Sequence, residues 1–406
     1  MHILIVHQAF ASLDEPGGTR HYEFARYLAG KGHRVTIIAS PVSYITGSRS
    51  VPPAQNGESP GRLSGVVIRR ALVYAGHHKS FIHRMLAFFS FMLSSFFIGL
   101  QLGKVDLVWG TSPPIFQGVT AWALARLKRA RFLFEVRDLW PEFAVAVGVL
   151  RSRLLIRASE WLERFLYRHA DSVIVNSPGF LEHVKARGAR HVELIPNGAD
   201  PAMFGAKAYG SAFRRLHGLR GQFTVIYAGA HGMSNDLDVV LQAAHLLQGA
   251  KVQIVLVGDG KEKPVLVQRA RELGLQNLTF VAAVPKTQMP SVLAAADACV
   301  AILKPVEAYK TTYPNKVFDY MAAGKPVLLA IDGAIREVVE QAGCGVFVAP
   351  GDPAALSEAI RRLAADSEAA ERMGSLGKAY LEKNFNREQI AARLLGVIES
   401  LGREGR

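Results

Sequence analysis

Short apolar runs alternate along the chain with longer amphipathic stretches, a pattern typical of buried parallel strands joined by helices. In the first half, strands are predicted at residues 3–6, 35–39, 107–109, 132–136 and 172–175. The alternation restarts after residue 198, with strands predicted at residues 224–227, 252–257, 278–281, 298–302, 326–330 and 345–348. The sequence therefore predicts an α/β protein with two doubly wound parallel sheets.

Two domains are expected, because a chain of 406 residues exceeds what one hydrophobic core usually serves. We place an N-terminal Rossmann-like domain at residues 1–200 and a second one at residues 201–385. Ligands of such sheets bind at the carboxyl ends of the strands, so we expect two facing domains with the active site in an interdomain cleft. Apolar residues at helical spacing within residues 386–406 predict a last helix that packs back on the first domain.

An uncharged apolar stretch at residues 85–102 is long enough to span a bilayer. A strand is predicted directly after it, and a spanning helix would send all later strands to the other side of the membrane. We therefore favour a helix lying in the membrane interface over a buried core helix and over a spanning helix. The basic run at 126–131 and the arginines between 151 and 168 would add to this surface, unless they form an ordinary solvated face.

Lys and Arg outnumber Asp and Glu by 14, and this surplus favours anionic partners. No zinc-finger, helix-turn-helix or RNA-binding signature occurs, so nucleic acid is not an expected partner. The two cysteines, Cys299 and Cys344, lack the spacing of a disulfide framework or a zinc site. The first residues have the pattern of a buried strand and not of a signal peptide, which predicts a cytoplasmic location.

Glycine loops follow two of the predicted strands. Gly17 and Gly18 precede a helix that begins near Arg20, where backbone amides and the helix amino terminus favour a phosphate or an acceptor hydroxyl. Gly258 and Gly260 follow the strand at 252–257 and suit a sugar nucleotide or its base. Tight turns need the same glycines, so the ligand-binding and the structural interpretations both stay open.

A polar loop and the helix after it carry the most candidate chemistry. Thr311, Thr312 and Asn315 offer hydroxyl and amide groups, and Lys316 adds a cation near the helix start. Asp319 lies one turn further on the same helix face. A cation suits a diphosphate, and a carboxylate suits ribose hydroxyls. The alternative is an ordinary capped helix with a solvated pair of Lys316 and Asp319.

Several motifs together resemble the retaining glycosyltransferases of family 4, which have the GT-B fold. They are the helix Asp319-Tyr-Met-Ala-Ala-Gly with Lys325-Pro-Val, the segment Pro196-Asn-Gly-Ala-Asp, and the loop with Gly17 and Gly18. The resemblance runs over nearly the whole chain. The segment Glu135-Val-Arg-Asp-Leu-Trp-Pro-Glu and the Pro-Asn-Lys form of the loop are similar to the subgroup of WbuB-type transferases of O-antigen and capsule assembly.

The resemblance implies retaining transfer of an N-acetylated amino sugar, such as N-acetylfucosamine, from a UDP-sugar to a polyprenyl-diphosphate-linked acceptor. It implies no cofactor besides the donor substrate, no metal, and a peripheral enzyme on the inner face of the cell membrane. The acceptor or phosphate loop would hold Gly17 and Gly18, and the catalytic candidates are Asp138 and Asp319. The donor site would comprise Gly229, Gly258, Gly260, Thr311, Thr312, Asn315, Lys316 and Asp319.

The chain departs from the family pattern at positions that matter for the donor. The two glutamates of the family's paired acidic motif are replaced by Thr311 and Asp319. An arginine after the first strand of the second domain is replaced by Ala230, and a lysine some residues later is replaced by Asn235 or Asp236. The diphosphate charge must then be met by other groups. We expect Lys316 to meet it, together with Lys310, His231 or backbone amides near Gly229 and Gly232.

Acidic residues elsewhere allow competing interpretations. Asp138 follows the strand predicted at 132–136, where it would orient or deprotonate the acceptor hydroxyl, or else cap a turn or pair with Arg137. His7, at the end of the first strand, either lines the cleft or is structural. Asp236 and Asp238 have the spacing of a metal-binding DxD motif, but we expect this segment to cap a helix.

Three other functions compete with sugar transfer. A catalytically silent homologue that binds nucleotide sugars or partner proteins at the membrane would explain Thr311 and Ala230. A sugar-nucleotide epimerase would share the two-domain fold but would leave the apolar stretch unexplained. An NAD-dependent dehydrogenase is disfavoured, because the first glycine loop lacks the GxGxxG spacing. The oligomeric state is left open.

Overall fold

The chain divides into two compact units, which are Met1–Pro196 with Glu388–Arg406, and Asn197–Arg387. The computed structural model describes residues 1–43, 65–74, 81–205, 210–219 and 221–403. The boundary at residue 197 precedes the predicted one at 200 because the connecting residues bond within the second unit. The Asn197 amide donates to the Tyr313 carbonyl at 2.7 Å, and Ala199 forms a bridge with Asn386.

The first unit holds a sheet of parallel strands in the order β3-β2-β1-β4-β5-β6-β7. The strands are β1 (His2–Val6), β2 (Arg34–Ala39), β3 (Val66–Arg70), β4 (Leu107–Ser112), β5 (Arg131–Val136), β6 (Ser172–Val175) and β7 (Val192–Leu194). The two edge strands β3 and β7 were not predicted. Both are only half-buried, so neither carries the continuous apolar run of a central strand.

Helices cover both faces of this sheet. They are α1 (Arg20–Gly30), α2 (Phe81–Gln101), α3 (Phe116–Lys128), α4 (Glu142–Ala146), α5 (Arg153–His169) and α6 (Leu181–Ala186). On one face Phe24 and Leu28 of α1 pack against β1 and β2. On the other face Phe91 of α2, Leu124 of α3 and Leu166 of α5 share one core.

The second unit repeats the architecture, with a parallel sheet in the order β10-β9-β8-β11-β12-β13. The strands are β8 (Phe223–Ala228), β9 (Val252–Val257), β10 (Leu278–Val281), β11 (Ala298–Ile302), β12 (Val327–Ala330) and β13 (Gly345–Phe347). The helices are α7 (Gly210–Leu216), α8 (Leu237–Leu246), α9 (Lys263–Glu272), α10 (Met289–Ala294), α11 (Asn315–Ala322), α12 (Ala334–Ala342), α13 (Pro353–Ala365) and α14 (Ser367–Asn384). Strand order reverses beside β1 in the first sheet and beside β8 in the second, which marks the carboxyl ends of these strands as ligand positions.

The last helix, α15 (Arg387–Arg403), belongs to the core of the first unit from residue 388 onward. Its buried residues Ile390, Leu394 and Ile398 lie in the same cluster as Ile3 of β1 and Val35 of β2. The helical spacing of apolar residues thus produces a face that the first sheet covers.

Helix α2 has an apolar face on each side. Ala87, Phe91 and Ser95 are buried against the first unit. The opposite face is also apolar but exposed, and it consists of Leu86, Phe89, Leu93, Phe97 and Leu100. The segment His83–Gln101 is long and apolar enough to cross a membrane by length and composition, with 22% of its apolar window buried. The interpretation of α2 as an ordinary buried core helix is therefore wrong.

Candidate functional site

A cavity of about 220 Å³ lies at the carboxyl ends of β1, β4 and β5 in the first unit. Gly17 and Gly18 form part of its wall, together with Pro113 after β4 and Asp138 after β5. Gly17 has a φ of +150°, and a Cβ there would lie 2.8 Å from the Ala11 Cβ, so this position requires glycine. A Cβ on Gly18 would meet nothing within 4 Å, so a ligand has open access to its backbone. The predicted loop and the predicted acid thus share one cavity.

Asp138 is half-buried in this cavity wall, beside Arg137. Burial raises the pKa of the Asp138 carboxyl to about 6, although the positive charge of Arg137 opposes the shift. A carboxylate with such a pKa is ionised at neutral pH and still basic enough to take a proton from a hydroxyl group in a transition state.

Arg137 is oriented by a histidine that carries no charge. One of its guanidinium nitrogens lies 3.2 Å from Nε2 of His7, whose Nδ1 lies 2.8 Å from the Thr111 hydroxyl. Burial, His21 and Arg137 hold the pKa of His7 well below its usual range, so His7 accepts from Arg137 through the Nε2 lone pair. His7 is therefore a buried tether for Arg137. Sequence reasoning missed the role of Arg137, because the contact joins residues 130 positions apart.

A buried ionic cluster lies under this region. Glu135 on β5 accepts from Arg20 Nε at 2.8 Å, from His21 Nε2 at 2.6 Å and from the Trp109 indole at 3.2 Å. Burial alone would raise the pKa of Glu135, but His21 and Arg20 overcome it and hold the pKa below its usual range. Arg20 also donates to the Pro196 carbonyl at 2.6 Å. The cluster ties the start of α1, and thereby the glycine loop, to β5 and to the end of the first unit.

In the second unit the predicted donor glycines lie where two loops touch. A Cβ on Gly258 would overlap the Gly229 carbonyl oxygen, and a Cβ on Gly260 would lie 2.5 Å from the His231 carbonyl oxygen. Close backbone packing therefore accounts for the two glycines after β9 without a ligand, as the structural interpretation expects. The same packing brings the loop after β9 against the loop after β8.

Lys316, in the first turn of α11, points toward the end of β8. Its Nζ donates to the Tyr227 hydroxyl at 2.7 Å and lies 4.0 Å from the centroid of the Tyr227 ring. The Asn235 side-chain oxygen is 3.3 Å from the same nitrogen. Burial lowers the pKa of Lys316 to about 7. Among the described residues, the ammonium group thus lies beside Gly229, with Tyr227 and Asn235 as its polar contacts.

Asp319, one turn along α11, has a different partner. Its Oδ2 accepts from Lys286 Nζ at 2.6 Å, and the amide of Asn315 is 3.5 Å from the same oxygen. Both side chains of the ion pair are largely buried, with 9% and 14% of their surfaces exposed. The alternative of a solvated pair of Lys316 and Asp319 is therefore wrong. Lys286 was not identified from the sequence, since it lies 33 residues earlier in a turn after β10.

The polar groups between β11 and α11 are engaged locally. Thr311 and Thr312 donate their hydroxyls to the carbonyls of Ala308 and Tyr309 at 2.7 and 2.8 Å, so these hydroxyl hydrogens serve the loop itself. Asn315 accepts from Arg387 at 3.2 Å. Lys310, a suggested phosphate ligand, is exposed and pairs with Glu307 at 2.8 Å.

His231 and the DxD segment flank the same loop. Both ring nitrogens of the buried His231 lack a hydrogen-bond partner among the described residues, and burial lowers its pKa to about 4. Asp236 occupies the N-cap position of α8 but forms no side-chain capping bond, because its backbone is left-handed with a φ of 42°. The expected capping interaction is therefore wrong. Within the described ranges, no group of three or more His, Cys, Asp or Glu side chains could hold a metal ion.

Three helices of the first unit share an exposed surface, which we call the outer helical face. Thr120 of α3 donates to the Met92 carbonyl of α2 at 3.1 Å, and Trp122 of α3 packs on Phe165 of α5 at 4.9 Å between ring centroids. The exposed apolar residues of this face are Leu86, Phe89, Leu93, Phe97, Leu100, Leu127, Leu154, Leu155 and Trp161. The exposed arginines of α5 beside them are Arg153, Arg157, Arg164 and Arg168.

Comparison with known families gives two matches along the chain. Residues 17–198 match a glycosyl transferase 4-like domain, and residues 222–366 match the glycosyl transferases group 1. The chain is 24% identical over 397 residues to a protein of Escherichia coli K12 named as the colanic acid biosynthesis glycosyl transferase WcaI. The alignment covers 93% of this chain and 94% of that protein. The chain is 24% identical over 304 residues to the lipopolysaccharide core biosynthesis glycosyltransferase LpsD of Rhizobium meliloti, with 70% and 83% covered.

Solved structures resemble the chain over its full length. Sucrose-phosphate synthase from Thermosynechococcus elongatus superposes with a TM-score of 0.78 at 21% identity, and 98% of each chain is covered. HepE of Anabaena in complex with UDP-glucose gives a TM-score of 0.73 at 18% identity, with 98% of this chain and 100% of that chain covered. The predicted α/β fold of the GT-B type is thereby confirmed.

Proposed function

Because this chain belongs to the glycosyltransferases with the GT-B fold, we propose that it transfers a sugar from a UDP-sugar to a polyprenyl-diphosphate-linked acceptor in bacterial surface-polysaccharide synthesis. Relatives named for colanic acid and lipopolysaccharide synthesis support the pathway class. The Glu135-to-Glu142 motif and the Pro-Asn-Lys loop support the WbuB-type subgroup, with an N-acetylated amino sugar such as N-acetylfucosamine as the transferred group.

The observation that carries the proposal is the pair of opposite charges on α11. Lys316 reaches the loop after β8, where its ammonium would neutralise the diphosphate in place of the arginine that Ala230 replaces. Asp319 lies one turn further, where its carboxylate would accept from ribose hydroxyls. The backbone amides of Gly229, Gly258 and Gly260 already donate to the Val257 carbonyl, the Val281 carbonyl and the Asp259 carboxylate, so Lys316 and not these amides would meet the diphosphate.

In the first unit we assign the acceptor to the cavity at Gly17 and Gly18. Transfer breaks the bond between the anomeric carbon and the diphosphate oxygen and forms a bond to an acceptor hydroxyl oxygen, with retained configuration. The hydroxyl proton passes to the leaving diphosphate or to Asp138, whose raised pKa suits a general base. No cofactor or metal enters this scheme, because Lys316 and backbone dipoles stabilise the leaving group.

Ligand-dependent unfolding tests the donor assignment without knowledge of the acceptor. A nucleotide that binds the folded state raises the melting temperature, and we expect UDP to do so in preference to GDP, ADP, CMP and NAD. Asp319→Ala should abolish the UDP shift. Asp297→Ala is the matched control, because Asp297 is also in an ion pair, with Arg214 at 2.6 Å, but precedes β11 and so lies at its amino end. An equal UDP shift in wild type and Asp319→Ala contradicts the assignment.

A catalytically silent homologue is the second candidate, and Thr311 and Ala230 favour it. Such a protein would bind UDP-sugars but release no UDP when supplied with lipid-linked acceptors. Turnover above that of Asp319→Ala rejects this candidate.

The outer helical face supports attachment to the inner surface of the cytoplasmic membrane. Exposed apolar side chains on α2 and α5 would enter the head-group region, and the arginines of α5 would meet anionic lipid head groups. The buried face of α2 packs on its own unit, which favours a helix lying in the interface over one that spans the bilayer. A polyprenyl-linked acceptor resides in the same membrane, so attachment brings enzyme and acceptor together.

A further inference from the structure

Lys286 lies outside every donor-binding segment of the sequence, yet its ammonium group contacts Asp319. The residue begins a short turn, Lys286–Gln288, that follows β10. Its side chain is buried, with Nζ 2.6 Å from Asp319 Oδ2 and 5.3 Å from the centroid of the Phe204 ring. The ion pair therefore links the turn after β10 to helix α11.

The other lysine near Asp319 in sequence, Lys316, points away from this carboxylate. Lys316 is only three residues away on α11, but it points to Tyr227 and Asn235. Two separate lysines are an advantage because of their charge. If one lysine contacted both Asp319 and the diphosphate, the carboxylate would partly neutralise its charge before the nucleotide bound. With two lysines, Lys286 pairs with Asp319 and Lys316 is left for the diphosphate.

A carboxylate that is largely shielded from water is stabilised by a nearby cation, and its hydrogen bonds hold it in one orientation. Lys286 supplies the cation from a buried position beside the Phe204 ring. An ionised carboxylate accepts from two hydroxyls at once, whereas a protonated one donates one bond and accepts less well. Recognition of ribose by Asp319 thus depends on Lys286.

We propose that Lys286 is a positioning residue that holds the Asp319 carboxylate in the orientation that accepts from the ribose hydroxyls of the nucleotide. The proposal rests on the assignment of Asp319 to the donor ribose above. Lys286 itself does not touch the nucleotide in this proposal, so its effect must pass through Asp319 and must appear as a change in ribose recognition.

The test compares the dissociation constants of UDP and 2′-deoxy-UDP by titration calorimetry. Hydrogen bonds to a charged group are strong, so wild type should prefer UDP by roughly tenfold or more. Asp319→Asn should reduce this preference to near unity. Lys286→Met should reduce it to the same level, and the double variant should show no further loss, because both changes remove one interaction. Lys286→Arg should restore most of the preference.

A structural role without a positioning role gives a different result. Lys325→Met is the matched control, because Lys325 also lies in the second unit and donates to a backbone carbonyl, that of Ala296, at 2.6 Å. It should lower stability and leave the ratio of the two dissociation constants unchanged. Lys286→Gln keeps an N–H donor without a charge, and it serves as the second variant if Lys286→Met does not fold.

The outcomes separate this proposal from the proposed function. If Asp319→Asn loses the preference while Lys286→Met and Lys286→Gln keep it, the positioning role is overturned and the donor site stands. If wild type binds UDP and 2′-deoxy-UDP equally well, both the ribose role of Asp319 and the proposal for Lys286 are overturned.

Discussion

Lys316 is an ammonium group whose charge changes near neutral pH. Desolvation lowers its pKa to about 7, so part of the unliganded molecules carry a neutral Lys316 at neutral pH. A bound diphosphate favours the ammonium form. UDP binding should therefore take up a fraction of a proton near pH 7, and UDP affinity should fall as the pH rises above 7.

Calorimetry in buffers of different ionisation enthalpy measures this proton uptake. Lys316→Arg stays charged throughout the range and should bind UDP with little uptake. His231 stays neutral in unliganded protein near pH 7, because its pKa is lowered to about 4. Uptake that persists in Lys316→Arg would assign the proton to another group.

Asp138 should impose an acid limb on the rate of transfer. A base must be ionised, and burial raises the pKa of this carboxyl to about 6, so kcat should rise as the pH increases through 6. Asp138→Asn should lower kcat by about 10²–10⁴-fold and abolish that limb. Asp171→Asn is the control, since Asp171 pairs with Arg131 at 2.9 Å outside the cavity and should leave the profile unchanged. An acid limb that survives in Asp138→Asn would leave the leaving diphosphate as the base.

At the scale of elements, the exposed face of α2 provides a direct test of membrane attachment. A carboxylate on this face should weaken binding to vesicles without disturbing the core, because Leu93 is 56% exposed. We expect Leu93→Glu to reduce cosedimentation with vesicles that contain phosphatidylglycerol. Leu376→Glu is matched in exposure, at 53%, but lies on α14 of the second unit and should bind as wild type does.

Helix α5 can be followed through its own tryptophan. Trp161 is 63% exposed, whereas Trp109 is fully buried. Brominated lipids should quench the fluorescence of Trp161 on vesicle binding, and Trp161→Phe should remove most of the quenching. Quenching that is equal in the variant would mean that α5 stays clear of the lipid. If the protein instead forms a dimer that buries these apolar side chains and does not bind lipid, membrane attachment is rejected.

The central strands could be predicted from the sequence because each carries a short and uninterrupted apolar run. The edge strand β3 alternates half-buried and exposed residues, ends in two arginines, and gives no such signal.

The candidate site was predicted only where a motif marks it, as at Asp138, Asp319 and Gly17. Lys286 and His7 act through contacts with residues 33 and 130 positions away, respectively, and only the tertiary structure reveals such contacts.

At the scale of the whole molecule, the first unit is built from two distant parts of the chain. Leu394 of α15 is fully buried in the cluster that contains Ile3 and Phe24. Leu394→Ala should therefore cost about 2–5 kcal/mol of stability, and the loss should appear in the first unit. Hydrogen exchange should show faster exchange in β1 and α1, with β8 and β11 unchanged.

Leu381→Ala provides the reciprocal control. Leu381 is equally buried, but it belongs to the core of the second unit with Ile226 and Val255. Its truncation should accelerate exchange in the second unit and spare β1. If both variants loosen both units alike, the two cores do not behave as separate cooperative bodies.

The position of α15 has a consequence for synthesis on the ribosome. The ribosome makes β1 before the second unit and α15 after it, yet both contribute to one core. Until α15 has been synthesised, the apolar face of β1 and β2 that it covers stays exposed in the nascent first unit, while the second unit emerges and folds. Chaperones that recognise exposed apolar segments would therefore meet the chain at the β1–β2 face, and they would be displaced when α15 leaves the exit tunnel.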